Sequence, residues 1–284
     1  MNWDEIGFVI CKPDAVYLHL EAEICKFLQG KGFQILFYKY VRINRDLCRG
    51  LYPDRYAQMK EHWELEAEFY ELGDSLCLII KGEIPREYES VSSYINDRWK
   101  GSFIPEEARE DTIRGKFAAL TPVFDLIHAA DCTEAAKREI RLFFTEKETN
   151  CLQELRYVNL RQKHPGELDS AYCYFRLKLQ LIQAATMDPH LKRAYFYYVQ
   201  EQHKKCKQVN RNMTRRLLYR MLQEENELFS PILKANPFLA AITSYRHFTK
   251  INYDKLFQQP LIAKLGFTKW EKCLLKTLLY DITL

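Results

Sequence analysis

The chain has 284 residues, 47% of them hydrophobic, with 42 Lys+Arg against 38 Asp+Glu and a formal net charge of +4. That length allows one large domain or two ordinary ones, and the charge layout favours two. Residues 1–150 hold 20 Lys+Arg and 27 Asp+Glu, whereas residues 151–284 hold 22 and 11, so an acidic module precedes a basic one. No apolar run approaches the roughly 18–20 residues that span a bilayer, and the acidic start Met1-Asn2-Trp3-Asp4-Glu5 lacks a signal-peptide layout. Nine cysteines, odd in number and without a Cys-x-x-Cys pair, fit free thiols in a reducing compartment. The expectation is a cytoplasmic protein with no membrane partner. His203 with Cys206, one helical turn apart, is the nearest approach to a metal site and a poor one.

Ile6 to Cys11 is a short apolar run, read as a buried strand that stops at Lys12-Pro13 because proline cannot donate to a ladder. Leu18 to Leu28 has helical spacing and is closed by Gly30-Lys31-Gly32. Phe33 to Val41 reads as a second strand, Asn44 to about Leu72 as polar helix broken at Pro53, and Ser75 to Lys81 as a third strand. Pro85 to Tyr94 reads as a short helix, and Arg98 to Leu120 as a long loop carrying Arg98, Arg109, Arg114 and Lys116.

The next run, from Val123 to His128, reads as a strand that delivers one histidine to its end. A helix follows, from Thr133 to about Phe144, with Asp131 as the expected cap and Glu134 as its capping-box partner. Glu139 lies on the second turn of that helix, within reach of the imidazole. A carboxylate on one ring nitrogen fixes the tautomer and makes the other nitrogen a better nucleophile. The element order fits a ferredoxin-like α+β fold, an antiparallel sheet covered on one side by helices.

Three motifs then coincide: Lys12-Pro13-Asp14-Ala15-Val16 after the first strand, Thr112-Ile113-Arg114-Gly115, and Ile127-His128 with Asp131 and Glu139. In this order and at these separations the chain resembles nucleoside diphosphate kinase from about Asp4 to about Phe144. The resemblance implies ping-pong transfer of the γ-phosphoryl group of a nucleoside triphosphate to a diphosphate through phospho-His128. It makes Glu139 the orienting carboxylate and Lys12 a contact to phosphate and ribose hydroxyl. Tyr52 matches a tyrosine near the site, Arg98 and Arg114 match two phosphate-holding arginines, and Asp131 lies close to Mg²⁺. The base would stack near Trp63. Physical chemistry agrees, since phosphoryl transfer needs mainly positioning and charge neutralisation, and arginine grips two phosphate oxygens at once.

Three departures stand out. Where the family carries a sugar-contacting asparagine, this chain has Asp125, which adds negative charge beside a polyanion. Ala129-Ala130 replaces the Gly-Ser after the family's histidine, and Ser102 is the nearest substitute for a phosphate-loop threonine. The alternative to a kinase is therefore a catalytically impaired nucleotide-binding or interaction module. A third reading is a kinase directed at an unusual acceptor.

Domains are expected at 1–148, kinase-like, and 149–284, a basic all-helical domain of unknown role. In the second, Leu168–Thr186 and Asn212–Leu228 are helical, with Met213, Leu217, Met221 and Leu228 as the core face of the latter; Thr268 with Glu271 caps the last helix. Lys192 to Arg220 holds nine Lys+Arg against Glu201. Lys204, Lys207, Arg211 and Arg215 would share one face, suited to an acidic protein or nucleic acid unless it is merely solvated. The family's oligomers make an oligomer possible here.

Overall fold

The computed structural model describes residues 2–150, 152, 166–208, 215–244 and 250–281, and the chain divides into two compact units, Met1–Glu167 and Leu168–Leu284. In the first, β1 (Ile6–Cys11), β2 (Gln34–Val41), β3 (Ser75–Lys81) and β4 (Ile127–Ala129) form one sheet in the order β2-β3-β1-β4, every neighbour antiparallel. β1 is buried at every position, as a central strand with no polar side chain should be. Alternate residues face opposite ways: Val9 shares a core with Ile24 and Leu28 of helix α2 (Glu21–Gly30), while Phe8 stacks on Phe143 of helix α8 (Thr133–Phe143) at 5.5 Å. Helices therefore cover both faces of the sheet, rather than the one expected. Gly7 lets the chain pack tightly here, because a Cβ would meet Val91 Cγ1 at 2.9 Å.

The elements between carry corrections. A short helix α1 (Pro13–Tyr17) opens directly on the proline after β1. The polar stretch after β2 becomes three helices, α3 (Arg45–Leu51), α4 (Pro53–Gln58) and α5 (Lys60–Tyr70). Helix α6 spans only Val91–Tyr94, opened by a Ser90–Ser93 capping box and not by Pro85, and continues into a π-helical turn, Ile95–Lys100. The expected loop thus begins inside a wound turn and contains a further short helix, α7 (Ile113–Lys116). The strand to His128 shrinks to three residues because Thr121 Oγ1 accepts from the amides of Val123 and Phe124 and holds the approach as a turn.

After a short helix α9 (Glu146–Asn150), the second unit is helical throughout its described residues: α10 (Ser170–Ala185), α11 (Pro189–Gln208), α12 (Arg215–Ala235), α13 (Pro237–Ile242), α14 (Tyr253–Gln258), α15 (Pro260–Ala263) and α16 (Lys269–Asp281). The core face of α12 includes Leu218, Met221 and Leu222, with the expected Leu217 partly buried against them; Leu228 is 64% exposed, contrary to expectation, and Met213 lies outside the described residues. Tyr195 is buried and Tyr198 donates to Met221 O at 2.8 Å, so these two rings belong to the core and not to a binding face. Of the four basic residues expected on one face, Lys204 pairs with Glu201 at 2.6 Å; Arg211 and the side chains of Lys207 and Arg215 lie outside the described residues. Thr268 and Glu271 do exchange the two capping-box bonds that open α16. Among the described residues no helix is long and apolar enough to cross a membrane.

Candidate functional site

The site grows out of the end of β4. His128 pairs in register with Ile10 and so shares the face on which α8 lies. Its approach is stitched down: Lys12 N donates to Leu126 O at 2.9 Å, and Asp14 Oδ2 accepts from Leu126 N at 3.1 Å. Leu126 is held at φ +70°, a costly conformation for a branched residue, two places before the histidine. His128 Nε2 lies 2.7 Å from Glu139 Oε2, whose other oxygen accepts from Arg138 Nη2 at 3.0 Å. A carboxylate only accepts, so Nε2 carries the hydrogen and Nδ1 keeps a lone pair. The Tyr52 hydroxyl stands 3.3 Å from Nδ1 and 2.9 Å from the Tyr70 hydroxyl. Burial pushes both phenols well above their ordinary value, so they stay neutral.

The cations are arranged differently from expectation. Lys12, which was to reach for phosphate, is 2% exposed; its Nζ donates to Val123 O at 2.8 Å and to Asp125 Oδ1 at 2.7 Å, with Glu66 at 3.8 Å. Arg114 is buried too, giving Nη2 to Asp125 Oδ2 and Ile127 O, Nε to Asp125 O, and Nη1 to Gly101 O. Four of its five N–H groups are spent, so it has no free fork for a phosphate. Burial pushes the Asp125 carboxyl up, but Arg114 and Lys12 together outweigh it and hold it below the ordinary value.

The remaining expected residues divide. Arg98 pairs with Asp111 at 2.7 Å and lies over the Trp99 ring. Asp131 is 77% exposed, 3.7 Å from Lys100, and does not cap α8, whose N-cap is Cys132. Trp63 is buried against Tyr56, and the exposed ring of that pair is Tyr56. No group of three or more His, Cys, Asp or Glu among the described residues is placed to hold a metal ion.

Residues 5–149 match the family model for nucleoside diphosphate kinase. The chain belongs to that family. Over 144 residues it is 36% identical to the nucleoside diphosphate kinase of Methanocaldococcus jannaschii, which covers 51% of this chain and 96% of that protein. The Sulfurisphaera tokodaii enzyme is 35% identical over 141 residues, covering 50% of this chain and 89% of that one. A solved nucleoside diphosphate kinase from Halobacterium salinarum, in complex with CDP, is 26% identical with a TM-score of 0.46, covering 54% of this chain and 94% of that chain. The protein is a nucleoside-diphosphate-kinase-like phosphotransferase.

Four residues of this kinase domain escaped the sequence reading. Arg55 Nη1 donates to both oxygens of Glu66, at 3.0 and 2.8 Å, and its guanidinium lies over the Tyr52 ring. Tyr70 backs Tyr52, and Lys100 comes off the π-helical turn. Glu66 was findable: His62, Trp63, Glu66, Ala67 and Tyr70 have helical spacing on one buried face, and a carboxylate inside such a stripe needs a partner. Lys100 had no such signal, since the π-helical turn breaks the 3.6 period.

Proposed function

We propose that Nδ1 of His128 attacks the γ-phosphorus of a nucleoside triphosphate. An N–P bond forms, the bond from γ-phosphorus to the β,γ-bridging oxygen breaks, and the diphosphate leaves with that oxygen and its electron pair. The ring becomes cationic, and Glu139, already on Nε2–H, balances the new charge; Arg138 keeps Glu139 in place. The second half-reaction reverses these events onto a terminal oxygen of an acceptor nucleoside diphosphate. The observation that carries this reading is the 2.7 Å contact between His128 Nε2 and Glu139, which leaves Nδ1 as the nucleophilic atom.

Asp131 offers one exposed carboxylate, which suits a Mg²⁺ held mainly by phosphates and water. Such an ion would neutralise charge on the transferring phosphates. The substrates are nucleoside tri- and diphosphates, and free thiols suit a cytoplasmic setting. The exposed cations between Lys192 and Arg220 favour an anionic partner for the helical unit.

Mixing the full chain with Mg·ATP should yield an acid-labile, base-stable phosphoprotein that added nucleoside diphosphate discharges. Nucleotide binding with no such label would end the proposal.

A further inference from the structure

The cations around His128 do not stand equally free. Lys12 and Arg114 share Asp125; Arg55 has Glu66 at 2.8 Å; Arg98 has Asp111 at 2.7 Å; Arg138 has Glu139 at 3.0 Å. Each is matched by a carboxylate at hydrogen-bond distance before any phosphate arrives. Lys100 differs. Among the described residues its hydrogen bond is to Asn96 Oδ1, a neutral group, and the carboxylate it pairs with, the exposed Asp131, lies 3.7 Å away. The side chain is nevertheless only 16% exposed, and its π-helical turn packs on β4. It lines a cavity of about 410 Å³ together with Ser102, Arg109, Thr112 and Arg114, and with the carboxylates Asp97 and Glu107. A partly desolvated ammonium with a neutral partner gains most from an incoming anion.

We propose that in this chain Lys100 supplies the charge that anchors the incoming phosphates, because Asp125 consumes Lys12 and Arg114. The inference rests on the phosphotransferase reading of the His128 site and adds to it the residue that binds the triphosphate. Asp125 then acts as an internal counter-anion, holding two buried cations in place without offering them to substrate.

The test is the half-saturating Mg·ATP concentration for phosphoprotein formation in the full chain. Lys100→Met should raise it about tenfold at pH 7, a loss of one charge-assisted contact. Lys100→Arg should keep it low, because the positive charge is retained. Because the ion pair that Lys100→Met breaks is to an exposed carboxylate at 3.7 Å, the variant should melt close to the parent. In an Asp125→Asn background, where Lys12 and Arg114 lose the carboxylate they share, the effect of Lys100→Met should shrink to less than about threefold.

An unchanged half-saturation in Lys100→Met, or a rise in Lys100→Arg as large as in Lys100→Met, would overturn the assignment. An undiminished effect of Lys100→Met beside Asp125→Asn would overturn the role given to Asp125. These failures differ from failure of the phosphotransferase reading, in which the parent chain forms no label at saturating Mg·ATP.

Discussion

Each unit buries one lysine against one carboxylate, and the two clusters do opposite things. In the second unit Lys178 and Glu225 are fully buried, Tyr195 donates to the same carboxylate, and Tyr174 packs beside the ammonium. Every neighbour is core. In the first unit Lys12 and Asp125 are almost as deeply buried, yet their cluster adjoins a histidine with a lone pair to give. Burial of an ion pair is thus no sign of chemistry by itself; what distinguishes the first cluster is the histidine beside it, the proposed nucleophile. The two ends of that site also contrast. The His128–Glu139 contact leaves Nδ1 for the proposed phosphoryl transfer, while two of the expected phosphate cations are already paired with Asp125.

The largest effect should come from removing the nucleophile. His128→Asn is expected to lower transfer by about four orders of magnitude or more, measured as exchange of γ-phosphate between ATP and a second diphosphate, with the fold unchanged by circular dichroism. In the second unit, Lys178→Met should leave transfer unaltered but lower the stability of that unit by about 3–5 kcal/mol, because it strands a buried carboxylate. The double variant Lys178→Met with Glu225→Leu should recover most of that loss in a denaturant titration, as expected of a cluster that serves packing alone.

Asp14 probes the first cluster from below. Burial pushes its carboxyl up to about 7, the direction that favours the protonated acid in the folded chain. The contribution to stability is therefore fully present below the unfolded value near 4 and is lost as pH rises to about 7. Asp14→Asn should flatten that part of the stability profile by on the order of 2–4 kcal/mol. An equally steep profile in the variant would show that Asp14 ionises as freely in the folded chain as in the unfolded one.

Much of the first unit was legible because its signals are local. Ile6–Cys11 and Ser75–Lys81 are apolar runs bounded by breakers, and both strands lie at those limits. His128 and Glu139 were legible together because a strand end and a helix's second turn leave few places for either side chain. The cations were not. Whether Arg114 faces a ligand or a carboxylate eleven residues away depends on tertiary packing, and sequence spacing does not report it. Lys100 was hidden by a π-helical turn, and near Trp63 a helix stripe does not say which ring ends outermost. In the second unit Leu228 had the right spacing but falls just before the irregular backbone at Phe229, where the helical register is lost.

The affinity of the site for Mg·ATP, with and without the Asp125 carboxylate, tests the central contrast most directly. Calorimetric titration in a His128→Asn background prevents turnover, so binding alone is read. Asp125→Asn should tighten Mg·ATP about tenfold, because Lys12 and Arg114 lose their internal counter-anion and turn to the phosphates. Equal or weaker binding in the Asp125→Asn chain would mean that this carboxylate does not hold the cations back, and the account of a ready nucleophile beside a self-neutralised cradle would be wrong.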